Sequence, residues 1–182
     1  MILTDKTLAD KKIKKILFSE EEIKKQIKLA GRKLSEEYEG KPLLIVGILT
    51  GSFMFVADLC KEITIPCEIT FMGASSYYSG TTSTGEVRIT KDISQKLSDY
   101  HVLIAEDIID TGRTLKQITQ MLREREPLSL KVITLLDKPE RREVDFDADM
   151  SLFTIPDHFV VGYGLDCADY YRNLPYIAEY AE

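Results

Sequence analysis

The residues with the clearest chemical potential lie between positions 102 and 114. A short apolar run, 102–105, is followed by three acids and a hydroxyl-rich turn: Glu106, Asp107, Asp110, Thr111, Gly112, Arg113 and Thr114. The apolar run predicts a buried strand, so the acids stand at its C-terminal end, where open α/β sheets bind their ligands. The turn opens a predicted helix, and the first N–H groups of a helix suit a phosphate. Because carboxylates repel a phosphate unless they bind sugar hydroxyls, a proton or a divalent cation, this segment indicates a sugar-phosphate site.

The elements that must position this segment alternate between strands and helices. Short apolar runs predict strands over 43–49, 67–72, 102–105, 131–136 and 159–161. Helical spacing predicts helices over 23–38, 53–62 and 114–124, the first of them after a capping box formed by Ser19 and Glu22. This order implies an α/β fold, a mainly parallel twisted sheet flanked by helices, in a single domain over 1–182.

Two segments do not fit this alternation. Residues 73–85 are almost entirely Gly, Ser, Thr and Tyr, and without apolar anchors they predict a mobile loop. Residues 137–149 are dense in charge and predict a solvated connection.

Composition excludes several classes of protein. The 24 Lys and Arg against 30 Asp and Glu give a net charge of −6, which argues against a broad surface for nucleic acid. Apolar stretches such as 43–49 are far shorter than the roughly 20 residues of a membrane span, and no signal-peptide pattern opens the chain. Cys60, Cys67 and Cys167 are odd in number and form no C-x-x-C pair, so reduced thiols in the cytoplasm are expected.

The segment 102–114 closely resembles the phosphoribosyl-diphosphate-binding signature of the type I phosphoribosyltransferases. Further motifs resemble the hypoxanthine-guanine branch of that family: Leu49-Thr50-Gly51-Ser52, Ser75-Ser76-Tyr77, Leu135-Leu136-Asp137-Lys138 and the run 156–166. The motifs follow the family order between positions 8 and 178. The phosphoribosyl signature is shared by many activities, whereas the run 159–166 is typical of the purine-salvage branch.

The resemblance implies a fold, an activity and partners. The fold would be that of the type I phosphoribosyltransferases, with a small hood formed by parts of the N- and C-terminal segments. The activity would be a Mg²⁺-dependent transfer of the 5-phosphoribosyl group from phosphoribosyl diphosphate to hypoxanthine or guanine, giving IMP or GMP plus pyrophosphate in purine salvage. The resemblance also implies a cytoplasmic homo-oligomer, a dimer or a tetramer, with no nucleic acid or membrane as partner.

The resemblance also implies roles for residues around the phosphates. The turn would hold the 5-phosphate through Thr111, Gly112, Arg113 and Thr114. The acids Glu106 and Asp107 would contact the ribose hydroxyls directly or through Mg²⁺, and Asp166 would be a further acid on the magnesium side. The pyrophosphate would be bound by Thr50, Gly51, Ser52 and Arg172.

Other roles concern the base. The resemblance places Asp110 near N7 of the purine, as the general base. Phe159 would stack on the ring, Val160 would offer backbone groups, and Lys138 would donate to O6. The Ser76-Tyr77 pair would lie on a loop that closes over the reaction and excludes water.

Three positions depart from the common family pattern, and they leave alternatives open. Thr50 stands where many members have Lys, Arg113 replaces a frequent Lys or Leu, and His158 replaces a common Lys beside the base. One alternative is a transferase that prefers xanthine or a pyrimidine. Another is a regulator that senses phosphoribosyl diphosphate and binds RNA or a protein, although the acidic composition does not suggest the basic face that RNA requires.

Overall fold

The computed structural model describes residues 11–76 and 87–181. The strands are β1 (Ile13–Phe18), β2 (Leu43–Leu49), β3 (Cys67–Ser76), β4 (Val87–Lys91), β5 (His101–Ile109), β6 (Ser129–Asp137), β7 (Met150–Thr154), β8 (Val160–Val161) and β9 (Ile177–Tyr180). The longer helices are α1 (Glu20–Glu37), α2 (Phe53–Glu62) and α3 (Arg113–Arg123). Short 3₁₀ helices lie at Leu97–Asp99 and Pro139–Arg141.

Six strands form the central sheet in the order β4-β3-β2-β5-β6-β7. All neighbours are parallel except β3 and β4. β2 is buried on both faces, as a strand inside a parallel sheet must be. This order confirms the prediction of a mainly parallel α/β sheet. It also brings the C-terminal ends of β2, β5 and β6 to one edge.

Helices cover both faces of this sheet. The predicted capping box at Ser19 and Glu22 is present and starts α1. The apolar side of α1 packs with α2 over one face of the sheet, through Ile23, Ile27, Leu34, Phe55 and Leu59 against Ile45, Leu103 and Ile133. Helix α3 packs on the other face, through Leu115, Ile118 and Leu122 against Leu44, Val102 and Val132. Across the described ranges, no helix is long and apolar enough to span a bilayer.

A second sheet, the hood sheet (β1, β8 and β9), joins distant parts of the chain. Its strand order is β1-β9-β8 and both pairs are antiparallel. Phe18 pairs with Ile177, and Val160 pairs with Glu179. Val160 and Ile177 belong to the same buried cluster as α1, so the hood sheet packs on the body of the protein.

Two sequence predictions about connections need correction. Residues 73–76 are not loop but the end of β3, because Ser75 and Ser76 pair with Arg88 and Val87 of β4. The rest of the predicted mobile loop, through 85, lies outside the described residues. The connection 137–149 is not simply solvated either, since it contains the 3₁₀ helix Pro139–Arg141 and a largely buried Arg142 side chain, 12% exposed.

Candidate active site

Three loops meet at the C-terminal edge of the central sheet. β2 ends at Leu49, and a cis peptide bond joins Leu49 to Thr50. β5 ends at Ile109, directly before Asp110, and β6 ends at Asp137, directly before Lys138. Because β5 lies between β2 and β6, the three loops are neighbours, and this edge carries the candidate active site.

Two adjacent acids, Glu106 and Asp107, lie near the end of β5. Burial raises the pKa of Glu106 well above its usual value, and the charge of Asp107 adds to this shift. Burial also raises the pKa of Asp107, against the opposing effects of Glu106, the Ile108 N–H group and Arg172. Glu106 Oε2 is enclosed and has no hydrogen-bond partner among the described residues. An orphaned carboxylate oxygen beside a second carboxyl fits a hard cation such as Mg²⁺.

The loop after β2 packs directly on these acids. A Cβ atom at Gly51 would overlap Asp107 Oδ2, so only glycine fits here without displacing that carboxylate. On its other side, the carbonyl oxygen of Gly51 lies where a Cβ atom of Gly164 would be, and Gly164 has a φ of +99°. Ser52 is buried, and its Oγ donates to the Ile48 carbonyl at 2.6 Å. The loop Thr50-Gly51-Ser52 is thus held against Asp107.

Arg172 brings a positive charge to the same edge. Its Nη1 donates to the Gly164 carbonyl at 2.8 Å, and its Nη2 lies 3.0 Å from Asp166 Oδ1. The positive charge of Arg172 acts to lower the pKa of Asp107, against the effect of burial. Asp166 also accepts the Asp169 N–H at 2.8 Å. In the described ranges, no three Asp, Glu, His or Cys side chains are grouped to hold a metal, so Asp166 does not cluster with Glu106 and Asp107.

A cavity of about 170 Å³ lies where β5 turns into α3. Gly112 has a φ of +80° and stands directly before the first residue of α3, with no side-chain cap. The first N–H groups of a helix have no carbonyl within the helix to donate to, so this end suits an anion. The cavity is lined by Glu106, Asp107, Ile108, Ile109, Asp110, Thr111, Gly112, Thr114 and Leu115. The Arg113 side chain instead pairs with Glu143 at 2.7 Å.

A larger cavity of about 700 Å³ lies between the same edge and the hood sheet. Its lining residues are Lys14, Asp110, Lys138, Arg141, Asp157, His158, Phe159, Glu179, Tyr180 and Ala181. The Phe159 ring is 41% exposed and packs on Tyr180 with ring centroids 5.9 Å apart. Lys138 is buried, 8% exposed, and its backbone N–H donates to the Ile109 carbonyl at 2.9 Å. An aromatic face, an ammonium group and a carboxylate therefore line one cavity.

The structure places most of the predicted site residues at one edge of the sheet. Val160 is buried on β8 and does not line the larger cavity with a side chain. Ser76 ends β3, and Tyr77 lies outside the described residues, so the predicted lid is not described.

Sequence reasoning did not assign Lys14, Arg141, Asp157, Glu179 or Tyr180 to a site, yet all five line the larger cavity. Lys14, Glu179 and Tyr180 lie on hood strands, and Arg141 lies in a connection expected to be solvated, so their signals in the sequence were weak. Arg141 stands three residues after Lys138, and Asp157 stands within the run 156–166 that carries the family resemblance, but neither was given a role.

Comparison with known proteins decides the family. The phosphoribosyl transferase domain model matches residues 13–168. The chain belongs to the phosphoribosyltransferase family. This membership confirms the resemblance found in the sequence, including its hypoxanthine-guanine branch, since a curated hypoxanthine-guanine phosphoribosyltransferase of Streptococcus pneumoniae is 52% identical over 165 residues, 91% of this chain and 92% of that relative.

Solved structures of the same family resemble the fold. A hypoxanthine phosphoribosyltransferase from Staphylococcus aureus superposes with a TM-score of 0.92 at 49% identity, covering 97% of this chain and 96% of that one. A hypoxanthine phosphoribosyl transferase from Trypanosoma cruzi, studied for the role of its C-terminal region in oligomeric state and enzymatic activity, has a TM-score of 0.88 at 42% identity, covering 93% of this chain and 92% of that one.

Proposed function

We propose that this phosphoribosyltransferase transfers the 5-phosphoribosyl group of phosphoribosyl diphosphate to hypoxanthine or guanine, giving IMP or GMP and pyrophosphate. One observation carries the proposal: Asp110 lines both the smaller cavity, where β5 turns into α3, and the larger cavity, which Phe159 and Lys138 also line. A carboxylate shared by both cavities stands where a sugar phosphate and a base would meet. The relatives named above support the same activity.

The reaction requires one bond exchange and one proton transfer. The bond between the ribose anomeric carbon and the pyrophosphate oxygen breaks, and pyrophosphate leaves with the electron pair. A purine ring nitrogen forms the new bond to that carbon, and the purine gives up a proton at N7. We assign the acceptance of that proton to the Asp110 carboxylate. In their ionised forms, Glu106 and Asp107 would favour the positive charge that develops on the ribose.

The residues around the phosphates divide the work. The Thr111-Gly112-Arg113-Thr114 turn would hold the 5-phosphate through the start of α3. The Thr50-Gly51-Ser52 loop and the Arg172 guanidinium would bind the pyrophosphate. We assign Mg²⁺ to Glu106 and Asp107. Asp166, which pairs with Arg172, is the further acid that the family resemblance gives to the magnesium side. Mg²⁺ held there would supply positive charge to offset that of the leaving pyrophosphate.

Base selection follows from the groups in the larger cavity. The Phe159 ring offers a flat face for stacking, and backbone groups near Val160 would contact the far edge of the base. Lys138 carries three donors and no acceptor, so it suits O6 of an oxopurine and cannot accept the amino hydrogens of adenine. An unpaired buried donor costs roughly 1–3 kcal/mol, which would make adenine a poor substrate.

We propose further that the molecule is a cytoplasmic homo-oligomer, a dimer or a tetramer, of one domain with the hood sheet as its hood. Three free cysteines, Cys60, Cys67 and Cys167, support a reducing compartment such as the cytoplasm. Exposed apolar side chains such as Phe53 and Ile69, 38% and 45% exposed, support an interface between copies of the chain. Light scattering coupled to size-exclusion chromatography measures the oligomeric state directly. The lid role of Ser76 and Tyr77 stays a proposal by family resemblance.

The test is a pyrophosphate-release assay with phosphoribosyl diphosphate, Mg²⁺ and one free base at a time. We expect turnover with hypoxanthine and guanine, and a specificity constant for adenine lower by about 10- to 100-fold. Highest activity with xanthine or a pyrimidine would replace the assigned substrate. Absence of turnover with every base, together with intact binding of phosphoribosyl diphosphate, would favour a sensing regulator.

A further inference from the structure

The Asp110 carboxylate is held from one side by an arginine. Arg141 Nε donates to Asp110 Oδ1 at 3.1 Å. Among the described residues, the bonds of the Asp110 side chain are confined to Oδ1. A carboxylate has two oxygens, and a contact to one of them fixes its orientation while the other can still accept a proton. The Arg141 side chain is 46% exposed, so this pair contributes little to folding stability.

Arg141 is in turn linked to the base-reading lysine. Arg141 Nη1 lies 3.7 Å from Asp157 Oδ2, and Lys138 Nζ lies 3.8 Å from Asp157 Oδ1. The four side chains thus alternate in charge along the wall of the larger cavity, from Lys138 through Asp157 and Arg141 to Asp110. On a 6-oxopurine, O6 and N7 lie side by side on one edge of the base. O6 accepts a hydrogen bond, and N7 carries the proton that is lost. The two ends of this charge chain therefore carry the groups that suit those two atoms.

The backbone fixes the position of Arg141 relative to Asp110. Pro139 opens the 3₁₀ helix Pro139–Arg141, and the Arg141 N–H donates to the Lys138 carbonyl at 3.1 Å. This turn is bonded to the segment around Asp110 on both sides of it: Lys138 N–H donates to Ile109 O, Arg142 Nη1 to Asp110 O, and Glu143 N–H to Thr111 O. The contact of Arg141 with Asp110 thus lies inside a backbone-defined arrangement.

We propose that Arg141 is a positioning residue that orients Asp110 with Oδ2 toward the purine, and that Asp157 holds Arg141 in place. The inference rests on the proposed function, because it concerns the proton acceptor of that reaction. A proton acceptor must lie within about 2.6–3.2 Å of the atom that loses the proton, and a half-exposed aspartate needs a partner to stay there. The hydrogen bond to Asp110 raises the pKa of Arg141, so its positive charge is permanent.

The test compares Arg141→Ala with Arg125→Ala. Arg125 is a matched control, because its Nη2 pairs with Asp92 Oδ2 at 2.8 Å and its side chain is 32% exposed, away from both cavities. We expect Arg141→Ala to lower kcat with hypoxanthine by about 10- to 100-fold, with the KM for phosphoribosyl diphosphate within about twofold of wild type. Both variants should melt within a few degrees of the wild-type Tm.

Chemical rescue separates positioning from a structural role. Guanidinium chloride at millimolar, non-denaturing concentration should restore part of the kcat of Arg141→Ala and leave Asp110→Asn and Arg125→Ala unchanged. Wild-type kcat in Arg141→Ala would overturn the inference, and so would a loss of kcat without rescue. Absence of turnover in the wild type with every base would instead overturn the proposed function, so the two failures are distinguishable.

Discussion

At Gly51, the loop Thr50-Gly51-Ser52 comes closest to the acid pair Glu106 and Asp107. Gly51→Ala adds a Cβ atom that overlaps Asp107 Oδ2, so the carboxylate or the loop must move. A displacement of about 1 Å in a site of this kind costs on the order of 100-fold in rate. We therefore expect kcat/KM for phosphoribosyl diphosphate to fall about 100-fold in Gly51→Ala, measured by pyrophosphate release.

Gly40→Ala is the control for this substitution. Gly40 has a φ of +70° and open space around a Cβ atom, and it precedes β2, at the opposite end of that strand from Thr50-Gly51-Ser52. Alanine in that backbone conformation should cost roughly 1 kcal/mol in the free energy of unfolding and leave kcat/KM unchanged. A Gly51→Ala variant with kcat/KM within twofold of wild type would show that the approach to Asp107 is irrelevant to the reaction.

Asp110→Asn tests the proton acceptor. Asparagine nearly keeps the shape of the side chain and can still accept from Arg141, so the turn before α3 should survive. It cannot take a proton at neutral pH, so turnover should fall by about 10²–10⁴-fold while binding of phosphoribosyl diphosphate changes less than roughly tenfold. Turnover, direct binding and thermal melting should be measured on one preparation. Near-wild-type turnover in a folded variant would remove Asp110 from the mechanism.

The sequence predicted those site residues that lie close together along the chain. The acids Glu106 and Asp107 lie near the end of one strand and the turn follows it directly, so spacing alone groups them. Gly51, Lys138 and Arg172 came from motif resemblance. Arg141 and Glu179 were not assigned to the site, because the place of Arg141 in the cavity depends on one turn of 3₁₀ helix and that of Glu179 depends on the hood sheet. The ion pair of Asp166 with Arg172 was equally invisible, since side-chain partners leave no periodic signal.

Tyr163 connects the loop after β8 to helix α2. Its buried hydroxyl donates to Asp58 Oδ2 at 2.5 Å, and Lys61 pairs with Asp58 at 2.7 Å. Burial acts to raise the pKa of Asp58, but the bonds from Lys61 and Tyr163 outweigh it and lower that pKa below its ordinary value of 3.8. This loop also carries Gly164, which packs on Gly51. The hydrogen bond between Tyr163 and Asp58 therefore stabilises the loop that contacts Thr50-Gly51-Ser52.

Tyr163→Phe removes this hydrogen bond and keeps the ring. We expect the free energy of unfolding at pH 7 to fall by roughly 1–2 kcal/mol, measured by urea denaturation. Because the folded-state pKa of Asp58 is lowered, its stabilising contribution is present above pH 3.8 and is lost as the pH falls through the lower folded-state value. The difference between variant and wild type should therefore shrink in acid.

Tyr170→Phe is the matched control, since that ring is 51% exposed. Its free energy of unfolding should stay within about 0.5 kcal/mol of wild type. An equal loss in Tyr163→Phe and Tyr170→Phe would contradict the role given to the bond with Asp58.

The elements that were predicted share continuous apolar character. The strand 43–49 and the helix 53–62 match β2 and α2 in both bounds, because full burial demands an apolar run and a buried helix face demands helical spacing. β1 was not predicted, since its burial follows no alternation and two of its six residues are exposed lysines, Lys14 and Lys15. It exists as a strand through its pairing with β9, which no local pattern encodes.

Binding of phosphoribosyl diphosphate should raise the thermal stability of the protein. Phosphoribosyl diphosphate with Mg²⁺ at about 100 times its Kd stabilises the folded state by roughly 2.7 kcal/mol, which for a chain of this size raises Tm by about 5–10 °C. Mg²⁺ would offset the charge of the diphosphate beside Glu106 and Asp107, so removing the cation should weaken binding. We therefore expect EDTA to abolish most of the shift in differential scanning fluorimetry. Mg²⁺ alone is the control, and an undiminished shift in EDTA would contradict the magnesium assignment.

The pairing of β1 with β9 also sets an order of events during synthesis. Lys14 and Glu179, which are joined across these strands, are 165 residues apart in sequence. A nascent chain that has emerged only through Thr154 already contains every strand of the central sheet and the phosphate turn. It still lacks Phe159, Glu179 and Tyr180, and so one wall of the larger cavity. On the ribosome, at about 5–20 residues per second, the chain can thus complete its proposed 5-phosphate site before its proposed base site.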